Sequence, residues 1–310
     1  MQIVSIIIPS YNHASYIEET IESCLNQDYV GLIEIIVVDD ASIDETKKIL
    51  SERNFQIDTN RSLEIIYKDV NKGINDSISR ALSLAKGSYI QLLASDDILC
   101  PSKISKQVEF LENSAYDSVY SRGFILEAGK RQEYYLADFK QAVEQGKALE
   151  FISTKDWELP LIQSGLFEKE VLLDLQEVRK QYKSDDWAML VSLFTEHNPG
   201  YYDEPLIIYR LHGNNSHKKY WSTFPMRIDI VSRLIDPEFR LIAFSNILLS
   251  QADYLSADHN RIDSLKFFLA STIFGFSSPK MRARVLTQII FPAKIISELK
   301  KTKNALSHSK

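Results

Sequence analysis

Apolar positions along the first hundred residues fall into two alternating periods. Short runs that are apolar at nearly every position, "IVSIIIP", "IEIIVVDD", "LEIIYK" and "YIQLLAS", begin at residues 3, 33, 63 and 89. Each is rich in β-branched residues and too short for a helix, so each predicts a strand buried on both faces. Between them the period becomes helical: Ile17, Ile21, Cys24 and Leu25 share one face, and Ile74, Ile78, Ala81, Leu82 and Ala85 share another. Ser15 with Glu18, and Ser42 with Glu45, have capping-box spacing and predict the starts of two helices. Gly87 is placed to close the helix before it as a left-handed cap.

Apolar strands separated by helices indicate an α/β chain with a mostly parallel sheet covered on both faces. In such sheets ligands bind outside the carboxyl ends of the strands. Three of these ends carry polar chemistry: "PSYN" after the first, "DDAS" after the second and "SDD" after the fourth, which together form one rim. Beyond residue 115 the pattern loosens. "DSVYSRGFIL" predicts another strand, residues 130 to 165 show no clear period, "DDWAMLVSLF" predicts a helix, and "GYYDEPLIIYRLH" a strand and loop. From residue 222 the signal is helical, so the expected division is 1–221 and 222–310.

A chain of 310 residues with 45% hydrophobic content can build a substantial core. Its two cysteines, Cys24 and Cys100, lie far apart and form no zinc or CxxC pattern, which fits a reducing cytosol. The first residues lack the basic start of a leader, and "FFLASTIFGF" is too short to span a bilayer, so a cytoplasmic protein is expected. A formal charge of −6 gives no general invitation to nucleic acid. The sign reverses at the end: residues 280 to 310 hold eight Lys and Arg against the single acid Glu298. Val285, Ile289, Ile290, Ile296 and Leu299 recur there at helical intervals. The segment is compatible with peripheral contact at the inner face of an anionic membrane, and equally with an amphipathic helix packed on the domain.

The rim limits the chemistry. No GxGxxG follows the first strand and no GxxxxGK[ST] occurs, so the backbone does not offer the close glycine approach that cradles a phosphate in dinucleotide-binding and P-loop proteins. A divalent cation held by carboxylates is the usual substitute, with substrate phosphates completing its shell. Asp96 and Asp97, two like charges at the end of an apolar strand, suit that role because a cation offsets their repulsion and desolvation.

Taken in order, "VSIIIPSYN", "IIVVDDAS", "NKG…AKGSYIQLLASDD" and "SDDW" resemble the family 2 glycosyltransferases over roughly residues 2 to 216. The resemblance implies the GT-A fold with a helical C-terminal extension. It also implies transfer, with inversion, from a nucleotide-diphosphate sugar, UDP-sugars favoured, to a hydroxyl of a glycan or lipid-linked oligosaccharide, as in bacterial surface-polysaccharide assembly. Carried over by position, Pro9 and Tyr11 line the base pocket, and Asp40, with Asp39 as the fallback, holds the nucleoside. Asp96 meets the ribose or a metal-bound water, Asp97 holds Mn2+ or Mg2+, and His212 joins the metal or the diphosphate. Arg210 counters the diphosphate charge. Asp186 of "SDDW" is the base that takes the acceptor proton, Asp185 helps orient the acceptor, and Gly165 lies where relatives shape the acceptor pocket. Two positions depart from the family pattern: Ala94 replaces a third acid and Ile78 replaces an arginine, with Arg80 two positions on. A nucleotidyltransferase, or a non-catalytic glycan-binding or assembly subunit on the same fold, are the competing readings; a homo-oligomer is compatible with any of them.

Overall fold

The structure, a computed structural model, describes residues 2–155, 159–183, 185–212, 220–257, 260–273 and 279–290. The chain divides into two compact units, Met1–Leu149 with Leu159–Asn215, and Glu150–Glu158 with Ser216–Lys310.

The first unit is built on one mixed sheet. Strands β1 (Val4–Ser10), β2 (Ile33–Asp39), β3 (Arg61–Tyr67) and β4 (Tyr89–Leu92) run parallel in the order β3-β2-β1-β4. The sheet continues through β8 (Leu166–Glu168), antiparallel to β4, then β6 (Ser118–Glu127), β9 (Pro199–Leu211) and the two-residue β5 (Ile98–Leu99). Strand β7 (Lys130–Tyr134) extends β6 as a hairpin. The four apolar runs are thus one parallel block, and the looser middle of the sequence supplies a mixed half in which β6 and β9 pair parallel while β5, β7 and β8 pair antiparallel.

Strand periodicity of two explains why the runs are apolar throughout. Val4, Ile6 and Ile8 of β1, with Ile33, Ile35 and Val37 of β2, pack in one core with Ile17, Ile21 and Cys24 of α1 (Ile17–Leu25) and Ile104, Val108 and Leu111 of α4 (Lys103–Glu112). The alternate residues Ile7, Ile36 and Val38 are equally buried, and α3 (Ile74–Leu84) lies against β1 and β2. Both faces are therefore covered, as a near-continuous apolar strand requires.

Local start and stop signals fared differently from periodicity. Neither capping box forms: α1 begins after Tyr16 and α2 (Thr46–Glu52) after Glu45, with no side-chain cap at either. Ser42 instead donates to Asp39 Oδ1 at 2.5 Å and receives the Asn12 amide. The predicted left-handed cap at Gly87 is also absent: α3 stops at Leu84 with Ala85 as its cap, and Gly87 is not among the positive-φ residues. Its lack of a side chain has another cause, because a Cβ there would lie 2.5 Å from the Ser5 amide nitrogen.

The second unit is helical where described, with α10 (Tyr220–Arg233), α11 (Arg240–Ala257), α12 (Arg261–Ile273) and α13 (Pro279–Ile290). Leu249, Ala252 and Val285 form a small core flanked by Phe267, Phe268, Met281 and Ile289. Of the basic tail, Val285 and Ile289 therefore face this core, Leu286 and Ile290 are exposed, and residues 291–310 lie outside the described residues. No described helix is long and apolar enough to cross a membrane.

Candidate active site

The site is assembled where the first unit's shortest strand meets its longest. Strand β4 ends at Leu92, the chain turns with the Asp97 amide donating to Ala94 O, and β5 then pairs antiparallel with β9, Ile98 opposite Ile208. That register carries the end of β9 back over the turn. The Arg210 amide donates to Asp97 Oδ1 at 2.9 Å, and His212 Nε2 lies 2.8 Å from Asp96 Oδ2. Residues more than a hundred positions apart are thereby brought together at the carboxyl end of the parallel strands.

Both acids are buried, Asp97 completely. Asp97 Oδ2 is shielded from solvent and has no hydrogen-bond partner among the described residues. Burial, then repulsion from Asp96, pushes the Asp97 carboxyl well above the usual carboxylate range, against hydrogen bonds from the Arg210 amide and the Gln163 side chain. His212 thus pairs with Asp96, while Asp97 Oδ1 is taken by the main chain of β9.

A third side chain enters from the end of β1. His13 places Nδ1 2.7 Å from Ser95 Oγ and Nε2 3.9 Å from Asp96 Oδ2. Burial lowers the His13 pKa, with Asp96 opposing and His212 reinforcing the shift. One ligand atom each of His13, Asp96 and His212 lie within 4.8 Å of one another. Tyr16 stacks on the His212 ring at 4.7 Å between centroids, and the Arg210 guanidinium lies over the Tyr16 ring at 4.8 Å. Arg210 also donates to Glu19 at 2.8 Å, so its charge is engaged at the head of α1.

Pro9 and Asp186 line one pocket of about 100 Å³, together with Ile78, Ala94, Gln163 and Met189. Asp186 is exposed as the first residue of α9 (Asp186–Glu196). Asp185 is the N-cap of that helix and accepts from the Trp187 and Ala188 amides. The two departures from the family pattern, Ala94 and Ile78, both form apolar wall here. Gly165 ends a 3-10 turn, Ile162–Ser164, and is needed for packing: a Cβ would lie 2.3 Å from Phe167 Cζ. Ile162 and Gln163 of that turn, rather than Gly165, reach the pocket. The turn is held from beneath by Lys103, fully buried, which donates to Ser164 O at 3.1 Å and to Gln107 Oε1.

At the end of β2, Asp39 accepts from Ser42, and Asp40 accepts from the amides of Lys72 and Gly73 at 2.9 and 2.7 Å and pairs with Lys68 at 2.5 Å. Burial opposes ionisation of Asp40, but these donors outweigh it and hold its carboxyl below the ordinary value. Both acids thus shape loops, and Asp40 Oδ2 keeps one acceptor position beyond the Gly73 bond. Tyr11 presents a ring 40% exposed. Lys68, Lys72 and Arg80 line a wider polar pocket of about 610 Å³. The sequence reading missed His13, Gln163 and Lys68. His13 directly follows the "PSYN" turn, whereas nothing in the sequence marks Gln163 or Lys68.

The pattern of Glycosyl transferase family 2 matches residues 5–156, which contain Pro9, Asp40 and both acids of the turn. Residues 5–156 thus carry a family 2 glycosyltransferase domain. It is 40% identical over 125 residues to the UDP-Glc:alpha-D-GlcNAc-diphosphoundecaprenol beta-1,3-glucosyltransferase WfaP of Escherichia coli, covering 40% of this chain and 47% of that protein. Identity is 25% to the GalNAc(5)-diNAcBac-PP-undecaprenol beta-1,3-glucosyltransferase of Campylobacter jejuni, across 98% of both chains. The chain spans less than half the length of the first relatives it matches, 42 to 47%. The crystal structure of S. aureus TarS in complex with UDP-GlcNAc superposes with a TM-score of 0.62 at 16% identity, covering 93% of this chain and 87% of that one, which places the family 2 chain in the GT-A fold.

Proposed function

We propose that the first unit is the catalytic domain of an inverting glycosyltransferase that moves a sugar from a nucleotide-diphosphate donor to a hydroxyl of a glycan. The observation that carries this reading is the convergence of Asp96, Asp97 and His212 beside the pocket that holds Pro9, Gln163 and Asp186. The nucleoside is held at the ends of β1 and β2, where Tyr11 offers a stacking face and Asp40 one remaining acceptor position. Pro9 borders both this region and the pocket of Asp186, so base and reacting centre lie along one rim.

A divalent cation fits the turn. Asp96 Oδ2, with the His212 imidazole nitrogen 2.8 Å from it, forms a donor set of carboxylate oxygen and imidazole nitrogen suited to Mn2+ or Mg2+. Asp96 and His212 would hold it, with Asp97 behind them, and it would supply positive charge against the departing diphosphate. Asp186 takes the proton from the acceptor hydroxyl as that oxygen attacks the anomeric carbon from the side opposite the leaving group. Its exposure gives an acceptor access, and the pocket's apolar wall of Ile78, Ala94 and Met189 limits water around the reacting centre.

The names of the two relatives, both acting on undecaprenol-linked saccharides, support a lipid-linked acceptor, and that of the E. coli protein supports a UDP-sugar donor. A panel of nucleotide sugars, incubated with Mn2+ or EDTA and an acceptor, tests the reading. Release of nucleoside diphosphate with at least one donor is expected. Asp186→Asn should keep donor binding by calorimetry and lose about 10²-fold or more in transfer, the scale of general-base catalysis. Undiminished transfer by Asp186→Asn would remove the base assignment, and turnover that requires pyrophosphate would replace transferase with nucleotidyltransferase.

A further inference from the structure

We propose that His13 is a direct metal ligand, so that the cation site consists of one carboxylate and two imidazoles, Asp96 with His13 and His212, and prefers a first-row transition-metal dication to Mg2+. This rests on the reading above that a cation belongs at Asp96.

The hydrogen bond from His212 explains one imidazole at Asp96, but not the other. At 3.9 Å from Asp96 Oδ2, His13 Nε2 is outside hydrogen-bond range, yet it lies within the 4.8 Å span shared by the three donor atoms. Its opposite nitrogen is held from behind. In the tautomer in which Nδ1–H donates to the buried Ser95 hydroxyl at 2.7 Å, the Nε2 lone pair faces Asp96. Such backing is what fixes the tautomer and orientation of metal-binding imidazoles. The main chain of His13 is fixed as well: its amide donates to Thr46 Oγ1 at 3.0 Å, and its carbonyl accepts from the Tyr16 and Ile17 amides. On the far side, Tyr16 stacks on His212. Both imidazoles are thus positioned by neighbours other than Asp96, and closing a shell around an ion requires only small side-chain movements.

The composition of the site sets its preference. Mg2+ takes oxygen donors in near-ideal octahedral geometry and gives up its waters reluctantly. Imidazole donors favour later first-row ions, whose affinities rise from Mn2+ to Co2+. Two nitrogens and one carboxylate therefore rank Co2+ above Mn2+ and both above Mg2+, whereas the aspartates alone would not.

The test titrates the full chain, without nucleotide, with CoCl2, MnCl2 and MgCl2 by calorimetry, and records electron spin-echo modulation of the Mn2+ complex. The expected result is Mn2+ binding at least about 10-fold tighter than Mg2+, with two directly bound imidazole nitrogens; His13→Ala should show one nitrogen and about 10-fold or more weaker Mn2+ binding. His13→Asn, which keeps a polar group toward Ser95, serves if the alanine variant melts early. One nitrogen in the wild type, an unchanged spectrum in His13→Ala or His13→Asn, or equal affinity for Mg2+ overturns the proposal. In those cases loss of binding in Asp96→Asn still upholds a cation at the turn; silence of the wild type toward all three ions overturns both.

Discussion

At the residue scale, Lys103 is the chain's most telling buried charge. Among the described residues its ammonium has the neutral acceptors Ser164 O and Gln107 Oε1, and burial lowers its pKa well below the ordinary 10.5. The sign of the consequence follows from linkage: the unfolded lysine binds a proton below 10.5 that the folded one has given up, so unfolding takes up a proton. Stability should rise with pH between the folded value and 10.5, by at most about 1.4 kcal/mol per pH unit. Urea melts at pH 7, 8.5 and 10 should show this rise in the wild type and its loss in Lys103→Met. Equal slopes would mean that the ammonium stays charged inside. Apolar periodicity gave the sequence reading no reason to mark Lys103, because a lysine at a helix start reads as solvated unless the turn above it is known.

Among elements, the four parallel runs and the long strands β6 and β9 were legible, and the short strands β5, β7 and β8 were not. Strands β1 to β4 bury both faces, so their apolar content is dense and local. Strand β7 is exposed at four of its five positions and β5 has two residues, too few for any period. The capping boxes misled because hydroxyls near a rim have competing acceptors: Ser42 serves Asp39 instead of a helix. The same logic assigns Asp185 to α9. Asp185→Ala should cost about 1 kcal/mol of stability, while Asp185→Ser, which can still cap, should cost a few tenths and leave transfer near wild type. Chemical denaturation and acceptor kinetics on both variants check this. A serine variant that is stable yet has a raised acceptor KM would return Asp185 to the acceptor-orienting role.

For the whole molecule, charge and partition raise one question: whether the end of the chain meets a membrane. Residues 291–310 carry five lysines against one glutamate, and α13 before them contributes Val285 to a core. A deletion should therefore begin at 291 and spare α13. The full chain is expected to float with vesicles rich in anionic lipid, releasing as salt rises, and the truncated chain to stay at the bottom of the gradient, since each surface lysine contributes about 1 kcal/mol within a Debye length. Identical flotation of both would remove the tail from any account of membrane contact.

The pairing of β5 with β9 has a consequence for how the protein matures. Asp97 meets the Arg210 amide, and Asp96 meets His212, only after a strand made near residue 200 has returned to one made near residue 98. A nascent chain that has emerged only as far as α4 already contains strands β1 to β4 but only part of the proposed cation site. Occupancy would then act as a ratchet on the last step of assembly, favouring the closed unit by about 2.7 kcal/mol at an ion concentration a hundred times the dissociation constant. With the proposed cation bound there, growth in a metal-poor medium would lower the amount of intact protein.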